Sequence, residues 1–365
     1  MLYIIRLFVF LSIILVAPLA GVWVSGQAVF PYLKMPPIPN MRDSANFSWI
    51  TFGVILILIV LVVAPFLFRI FRTAKSTTSS YTTYRFPAWG WLGVIWLTAA
   101  WILAWTRFEW FMPLQEFTFT PLWLGYIVII NALTYQRTGH CMLTYRTRFL
   151  LMLFPLSAIL WWSLEYLNRF AGNWHYVGIS DFSAWRYFIF ATLPFSTVLP
   201  AVLGTTEWLT TFPRVSAGLN NFFALRIPRT SRTSWILIGA SILMLSALSI
   251  WPEILYPLLW LAPIVLIVGL QIAFSARGLL EQIEHGNWRQ AWCASLACLI
   301  CGGFWEMWNI RSLAHWEYSI PHVQRFHVFE MPILGYAGYL PFGLICVLWV
   351  QYILNDENSE RLNRY

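Results

Sequence analysis

Ten apolar segments recur along this chain, near residues 2–24, 49–71, 87–106, 120–135, 149–168, 186–206, 234–252, 254–275, 290–310 and 333–353. Crossing a bilayer core of about 30 Å takes ~20 apolar residues in a helix. Lipid offers the backbone no water, so a crossing segment must satisfy its own amides, as a helix does. The pattern predicts an all-α fold, a polytopic membrane helix bundle of about ten transmembrane helices. The fourth segment is short, and the seventh and eighth meet at Trp251-Pro252-Glu253, so nine spans is the alternative. The first contains Ala17-Pro18-Leu19-Ala20, a tolerable processing site, but is read as a retained span.

Composition excludes the soluble classes. Of 365 residues 59% are hydrophobic and 10% are charged, against roughly 25% charged in soluble domains. The 23 Trp suit the boundary between hydrocarbon and headgroups. The net charge of +8 then points to topology and anionic lipids as partners, with no nucleic acid. Lys and Arg number 15 in the loops after even-numbered spans plus the C-terminal tail, and 7 in the loops after odd-numbered spans. The even loops include Arg69, Arg72, Lys75, Arg85 and the run Arg226, Arg229, Arg232. By the positive-inside rule both termini are cytoplasmic. Of the five cysteines none falls in an outer loop, so no disulfide framework is expected, and Cys298-x-x-Cys301 reads as packing within an apolar helix.

Two stretches echo each other. Glu165-x-x-Asn168, then Trp174-x-Tyr176, then Leu193-Pro194-Phe195 is matched by Glu306-x-x-Asn309, Trp316-x-Tyr318 and Leu340-Pro341-Phe342. Both Glu-x-x-Asn motifs fall on spans running from inside to outside, and both Leu-Pro-Phe motifs on spans running back. A duplication of this kind is a parallel internal repeat about an axis along the membrane normal. The implied organisation is 1–86 for two N-terminal spans, 87–210 for the first four-helix repeat, 211–233 for a cytoplasmic loop, 234–354 for the second repeat and 355–365 for a polar tail. Glu165 and Glu306 each lie ~24 Å along their spans at 1.5 Å per residue, so both come to one level near the outer interface.

Ionisable groups inside a span are costly and usually face the bundle interior or water. Glu165 and Glu306 are therefore the candidate catalytic residues. Asn168, Arg169, Asn309, Trp174, Tyr176, Trp316 and Tyr318 are the candidate substrate-binding residues. Glu165 and Arg169 are four apart and placed to pair on one face. The alternative role for all these polar groups is to clamp neighbouring helices. The outer-loop residues His175, His315, His322, His327, Glu317 and Glu330 match no metal signature, so no metal is assigned. No phosphate-binding or dinucleotide fingerprint occurs, and no cofactor is implied. Proline at 155, 194, 200, 263 and 341 marks spans expected to bend. Residues 277–288 read as a short amphipathic helix on the cytoplasmic membrane surface.

At Glu-x-x-Asn, Trp-x-Tyr and Leu-Pro the chain resembles a group of uncharacterised bacterial inner-membrane proteins. More distantly, over residues 150–205 and 295–350, it is similar to the membrane-embedded lycopene cyclase domain. That resemblance implies a repeated helix bundle acting on an isoprenoid. The cyclase repeat carries paired acidic residues after its Leu-Pro, where this chain has Phe195-Ser196 and Phe342-Gly343. The expected function is an integral membrane enzyme using carboxylate acid–base chemistry on a lipid or isoprenoid-type small molecule near the outer leaflet of a bacterial inner membrane. The alternative is a non-enzymatic subunit of a membrane complex, or a small-molecule transporter. Oligomeric state is left open.

Overall fold

The computed structural model of the protein describes residues 2–36, 46–75 and 83–354. The polar tail expected at 355–365 lies outside them. Among the described residues fourteen α-helices follow in order: α1 (Leu2–Val24), α2 (Trp49–Ala74), α3 (Ala88–Trp105), α4 (Phe119–Thr138), α5 (Met142–Tyr145), α6 (Thr147–Ala171), α7 (Ala184–Phe195), α8 (Val198–Thr210), α9 (Ser231–Ile250), α10 (Pro252–Leu255), α11 (Leu258–Ala273), α12 (Leu279–Glu284), α13 (Arg289–Asn309) and α14 (Tyr339–Leu354). Among the described residues eight helical stretches are long and apolar enough to cross a membrane, taking α7 with α8 as one. A ninth arises if Glu109–Phe117 and α4, bent by 69°, form one span, and α11 is a shorter apolar helix. Each expected segment coincides with one of these helices. The chain is an all-α polytopic bundle.

Surface chemistry agrees. Only Ile70 of the 26 residues of α2 is buried, while Ile57, Leu61, Val62 and Phe68 are exposed. An apolar helix bare on nearly every side has lipid for its solvent. α1, by contrast, is seated in the core through Phe10 and Ile14. The hydroxyls of Ser246 and Ser249 on α9 donate to its Ala17 and Pro18 carbonyls at 2.7 and 2.8 Å, and Tyr166 on α6 donates to its Leu15 carbonyl at 2.8 Å. Such bonds join membrane helices at roughly 1 kcal/mol each. At Gly21 a methyl would collide with the Ser246 carbonyl, so glycine sets the close approach of α1 and α9. Arg6 is buried but satisfied in part: its guanidinium donates to the Tyr352 carbonyl at 3.0 Å, and Tyr352 returns a bond to the Arg6 carbonyl at 2.9 Å.

The odd and even loops gather at opposite ends. At the even end Arg69 bonds the carbonyls of Gly218 and Asn221, and Arg229 pairs with Glu284 at 3.2 Å. α12 lies here with Leu279, Leu280 and Ile283 buried in protein, so the amphipathic stretch packs on the bundle rather than lying on the membrane surface. At the odd end the Ser48 amide donates to His322, Arg107 donates to Arg311, and strand β1 (Trp174–Val177) pairs with β2 (His315–Tyr318).

That strand pair has the geometry of a parallel repeat. Rotation about an axis along the membrane normal preserves vertical directions and reverses those in the plane. Helices α6 and α13 both run from the even end to the odd end, and the strands that follow them pair antiparallel. Trp174 faces Tyr318 while Tyr176 faces Trp316, so exchanging the two copies turns each pair into the other.

The Leu-Pro element of the echo is assigned differently by the structure. Pro341 is the third residue of α14, and the third residue of α8 is Pro200, not Pro194. Glu165 to Glu306, Asn168 to Asn309 and Pro200 to Pro341 all share a spacing of 141 positions. Leu199-Pro200 is thus the counterpart of Leu340-Pro341. Pro194 instead lies in the last turn of α7, where the span breaks before α8 restarts.

Candidate functional site

Each repeat builds its part of the site outward from a helix end. Asn168 lies in the last turn of α6, and Asn309 ends α13. The Asn168 amide donates to the Trp174 carbonyl at 2.7 Å and accepts from the Trp174 amide at 3.3 Å. Asn309 does the same with Trp316, at 2.7 and 2.9 Å. A side-chain amide that donates to and accepts from one residue acts as a short stretch of partner strand. Both asparagines are fully buried. They fix where the Trp-x-Tyr strands leave the helices.

One turn deeper sit the carboxyl groups, Glu165 and Glu306, both 0% exposed. Glu165 Oε1 accepts from the indoles of Trp161 and Trp174 at 3.0 and 3.1 Å and from the Tyr176 hydroxyl at 2.5 Å. Glu306 Oε1 accepts from the hydroxyls of Tyr318 and Tyr339 at 2.7 and 2.6 Å, and the Trp316 indole donates to Tyr318 at 2.9 Å. In both copies Oε2 has no protein partner among the described residues. Burial, with the neighbouring carboxyl group second, pushes the phenols of Tyr176 and Tyr318 well above the usual tyrosine value. They remain hydrogen-bond donors.

The copies differ by a compensated exchange. The counterpart of Trp161 is Gly302, and the counterpart of Tyr339 is Val198, each 141 positions away. A methyl on Gly302 would strike the Tyr339 ring. In one copy a large donor, Trp161, comes from the carboxylate's own helix, and the returning helix carries Val198. In the other the large donor, Tyr339, comes from the returning helix and the glycine makes room for it. Both solutions deliver a ring donor to Oε1.

The donors' rings enclose an apolar cavity of about 130 Å³ between the repeats. Its wall holds equivalent pairs: Trp174 with Trp316, Tyr176 with Tyr318, and Phe119 with Trp260. Trp260 stacks on Trp174 at 6.1 Å, and Phe119 meets Trp316 edge-on at 5.6 Å. The space is smaller than the roughly 300–1,000 Å³ of ordinary ligand pockets and suits a ring or one end of a chain.

Of the nine residues nominated from sequence, Trp174, Tyr176, Trp316 and Tyr318 line this cavity. Glu165 and Glu306 stand one layer behind it, bonded to its wall. Asn168 and Asn309 hold the strands. Arg169 does not pair with Glu165: its guanidinium donates to the carbonyls of Tyr32 and Pro36 at 2.8 and 3.2 Å and ties down the first odd loop. The cavity residues the motifs missed include Trp161, Trp305, Tyr339, Phe119 and Trp260. Trp161, four residues before Glu165, and Tyr339, directly before Leu340-Pro341, were within reach of the motif.

Comparison of the chain with family models, with curated proteins and with solved structures finds no match. The site's own chemistry carries the functional reading. Among the described residues no three His, Cys, Asp or Glu side chains converge as metal ligands. His175 and His315 instead reach the two oxygens of Glu317 at 3.6 and 3.5 Å. All five cysteines are buried and unbridged.

Proposed function

We propose that the protein is an intramembrane enzyme that moves a proton onto and off an apolar unsaturated substrate of the isoprenoid class. The observation that carries this reading is the pair of buried carboxyl groups, each bonded to a phenol whose ring lines one shared aromatic cavity. Tyr176 relays for Glu165, and Tyr318 or Tyr339 for Glu306. A proton passes from one carboxyl through its phenol to a substrate double bond, leaving a carbocation. The aromatic faces of Trp174, Trp316 and Trp161 stabilise that cation by roughly 0.5–2 kcal/mol per favourable face. A neighbouring carbon then gives up a proton through the opposite phenol to the opposite carboxylate, and a double bond forms. Electrons and protons balance, so a double-bond shift or ring closure needs no redox cofactor. Trp174, Tyr176, Trp316 and Tyr318 bind the substrate, while Asn168 and Asn309 position the strands.

The Lys/Arg bias supports a location near the outer leaflet of an inner membrane, with both termini cytoplasmic. Incubating isolated membranes from expressing cells in heavy water, where lipid synthesis has stopped, tests the reaction whichever apolar lipid is the substrate. Wild type should place deuterium on carbon in an extractable apolar lipid, and Glu165→Gln or Glu306→Gln should abolish it. Identical lipid labelling with and without the protein overturns the proposal.

A second reading, a transporter, is favoured by one observation: another cavity opens between the same helices at the opposite end. Uptake or efflux of an apolar solute by reconstituted vesicles, retained in both Glu→Gln variants, would favour it.

A further inference from the structure

At the even-loop end a cavity of about 930 Å³ lies between α6, α8, α13, α14 and the end of α2. Phe149 on α6 touches it, whereas Trp161 on the same helix touches the aromatic cavity. Twelve residues at 1.5 Å put the two spaces ~18 Å apart. Between them Leu160, Leu199, Cys298, Cys301, Phe342 and Cys346 are all buried, so the two are separate compartments.

This cavity has a different character. Among the described residues, three arginines from three elements stand in its wall, Arg69 towards the end of α2, Arg146 before α6 and Arg289 opening α13, against one acid, Glu207. Three positive charges less one negative leaves +2. Arg69 is committed to the loop carbonyls of Gly218 and Asn221. Arg146 lies over the Phe149 ring at 4.2 Å, and Arg289 bonds Asn287 at 3.3 Å through Nε. α6 and α13, of 25 and 21 residues, both begin at this wall. The Arg289 amide is capped by Asn287 at 3.3 Å, and each helix start also turns the positive end of its dipole towards an anion. Leu203, Val347 and Val350 give the space an apolar side as well.

Size and charge select the ligand. The volume falls in the range of whole-molecule pockets, well beyond what a lone ion fills. A phosphate monoester carries about −1.5 to −2 charges at neutral pH, which matches +2, whereas a single carboxylate would leave half unbalanced. We infer that this cavity binds a phosphate-bearing anion at Arg146 and Arg289, supplied either as a lipid headgroup or as a soluble phosphate ester. The inference stands apart from the acid–base reading of the aromatic cavity and does not depend on it.

The full-length protein in phosphatidylcholine nanodiscs tests it with two probes, inorganic pyrophosphate in solution and phosphatidate doped into the disc. Thermal unfolding of the wild type should rise with at least one of them. Response to phosphatidate alone identifies a lipid headgroup, and response to pyrophosphate identifies a soluble ester. The double variant Arg146→Gln/Arg289→Gln should weaken the response about tenfold or more, since charge-assisted bonds are lost. Arg289 is exposed, so Arg289→Glu, with helicity checked by circular dichroism, gives the same readout should the double variant misfold. If neither probe stabilises the wild type, or the variants respond as the wild type does, the inference is overturned.

Discussion

His175 lies opposite Glu317 in the β1–β2 ladder, between the Trp174–Tyr318 and Tyr176–Trp316 pairs, and these two residues are themselves counterparts in the two repeats. The pseudo-two-fold axis therefore passes between them, through the middle of the aromatic cavity's roof. Everything that flanks them occurs twice, the Trp-x-Tyr strands, the asparagine brackets and the buried carboxyl groups. This relationship bonds the two glutamates to opposite walls of one cavity, through Tyr176 and Tyr318.

Replacing Glu165 or Glu306 with Gln should leave the fold within about 1 kcal/mol of wild type, because the amide oxygen still accepts from the ring donors. Proton transfer should fall by roughly 10²–10⁴-fold, the usual contribution of a positioned acid or base. Glu165→Ala differs, since it strands three buried donors and should destabilise by several kcal/mol at about 1–3 each. Unfolding in detergent alongside the deuterium assay separates the two roles. Equal destabilisation by Gln and Ala would mark Glu165 as a charged clamp.

The exchange between repeats should be transferable. Trp161→Gly removes a packed indole and should cost roughly 3–5 kcal/mol, as large-to-small core changes do. Adding Val198→Tyr rebuilds the geometry of Gly302 and Tyr339 in the first repeat and should recover a substantial part of that loss. Gly302→Ala should displace Tyr339 and weaken its bond to Glu306. Strictly additive losses in the double variant would mean that the two positions do not substitute for one another.

Alkaline stability follows from the raised phenols of Tyr176 and Tyr318. Their folded values lie above the unfolded value of about 10, so the stability they contribute is complete below pH ~10. It is lost as the pH rises further, because the unfolded chain releases protons that the folded one retains. Wild type should unfold more steeply above that point than Tyr176→Phe/Tyr318→Phe. Matching slopes would place the phenols in contact with solvent.

Topology is open to labelling. Cysteine introduced at position 180, exposed in the same loop as His175, should react with an impermeant reagent from outside intact cells, and cysteine at 229 should not. The reverse pattern would turn the bundle over and move the aromatic cavity to the inner leaflet.

Crossing segments, their order and the Lys/Arg bias are local properties, and the sequence alone determined them. A helix in lipid must satisfy its own backbone, so apolar length suffices to place it, as at Trp49–Ala74. Glu-x-x-Asn was legible for the same reason, since its residues share one helix turn. The Leu-Pro match misleads because it rests on letters. Which proline corresponds to Pro341 depends on where a broken helix restarts, and the Ser196–Thr197 break sets Pro200 there. Donor identity was beyond the sequence: Tyr339 reaches Glu306 across 33 positions, and only helix packing shows that Gly302 makes its room. The even-end cavity is the extreme case. Its arginines come from segments more than 200 residues apart, and tertiary structure decided their meeting, because charge converges through packing rather than spacing.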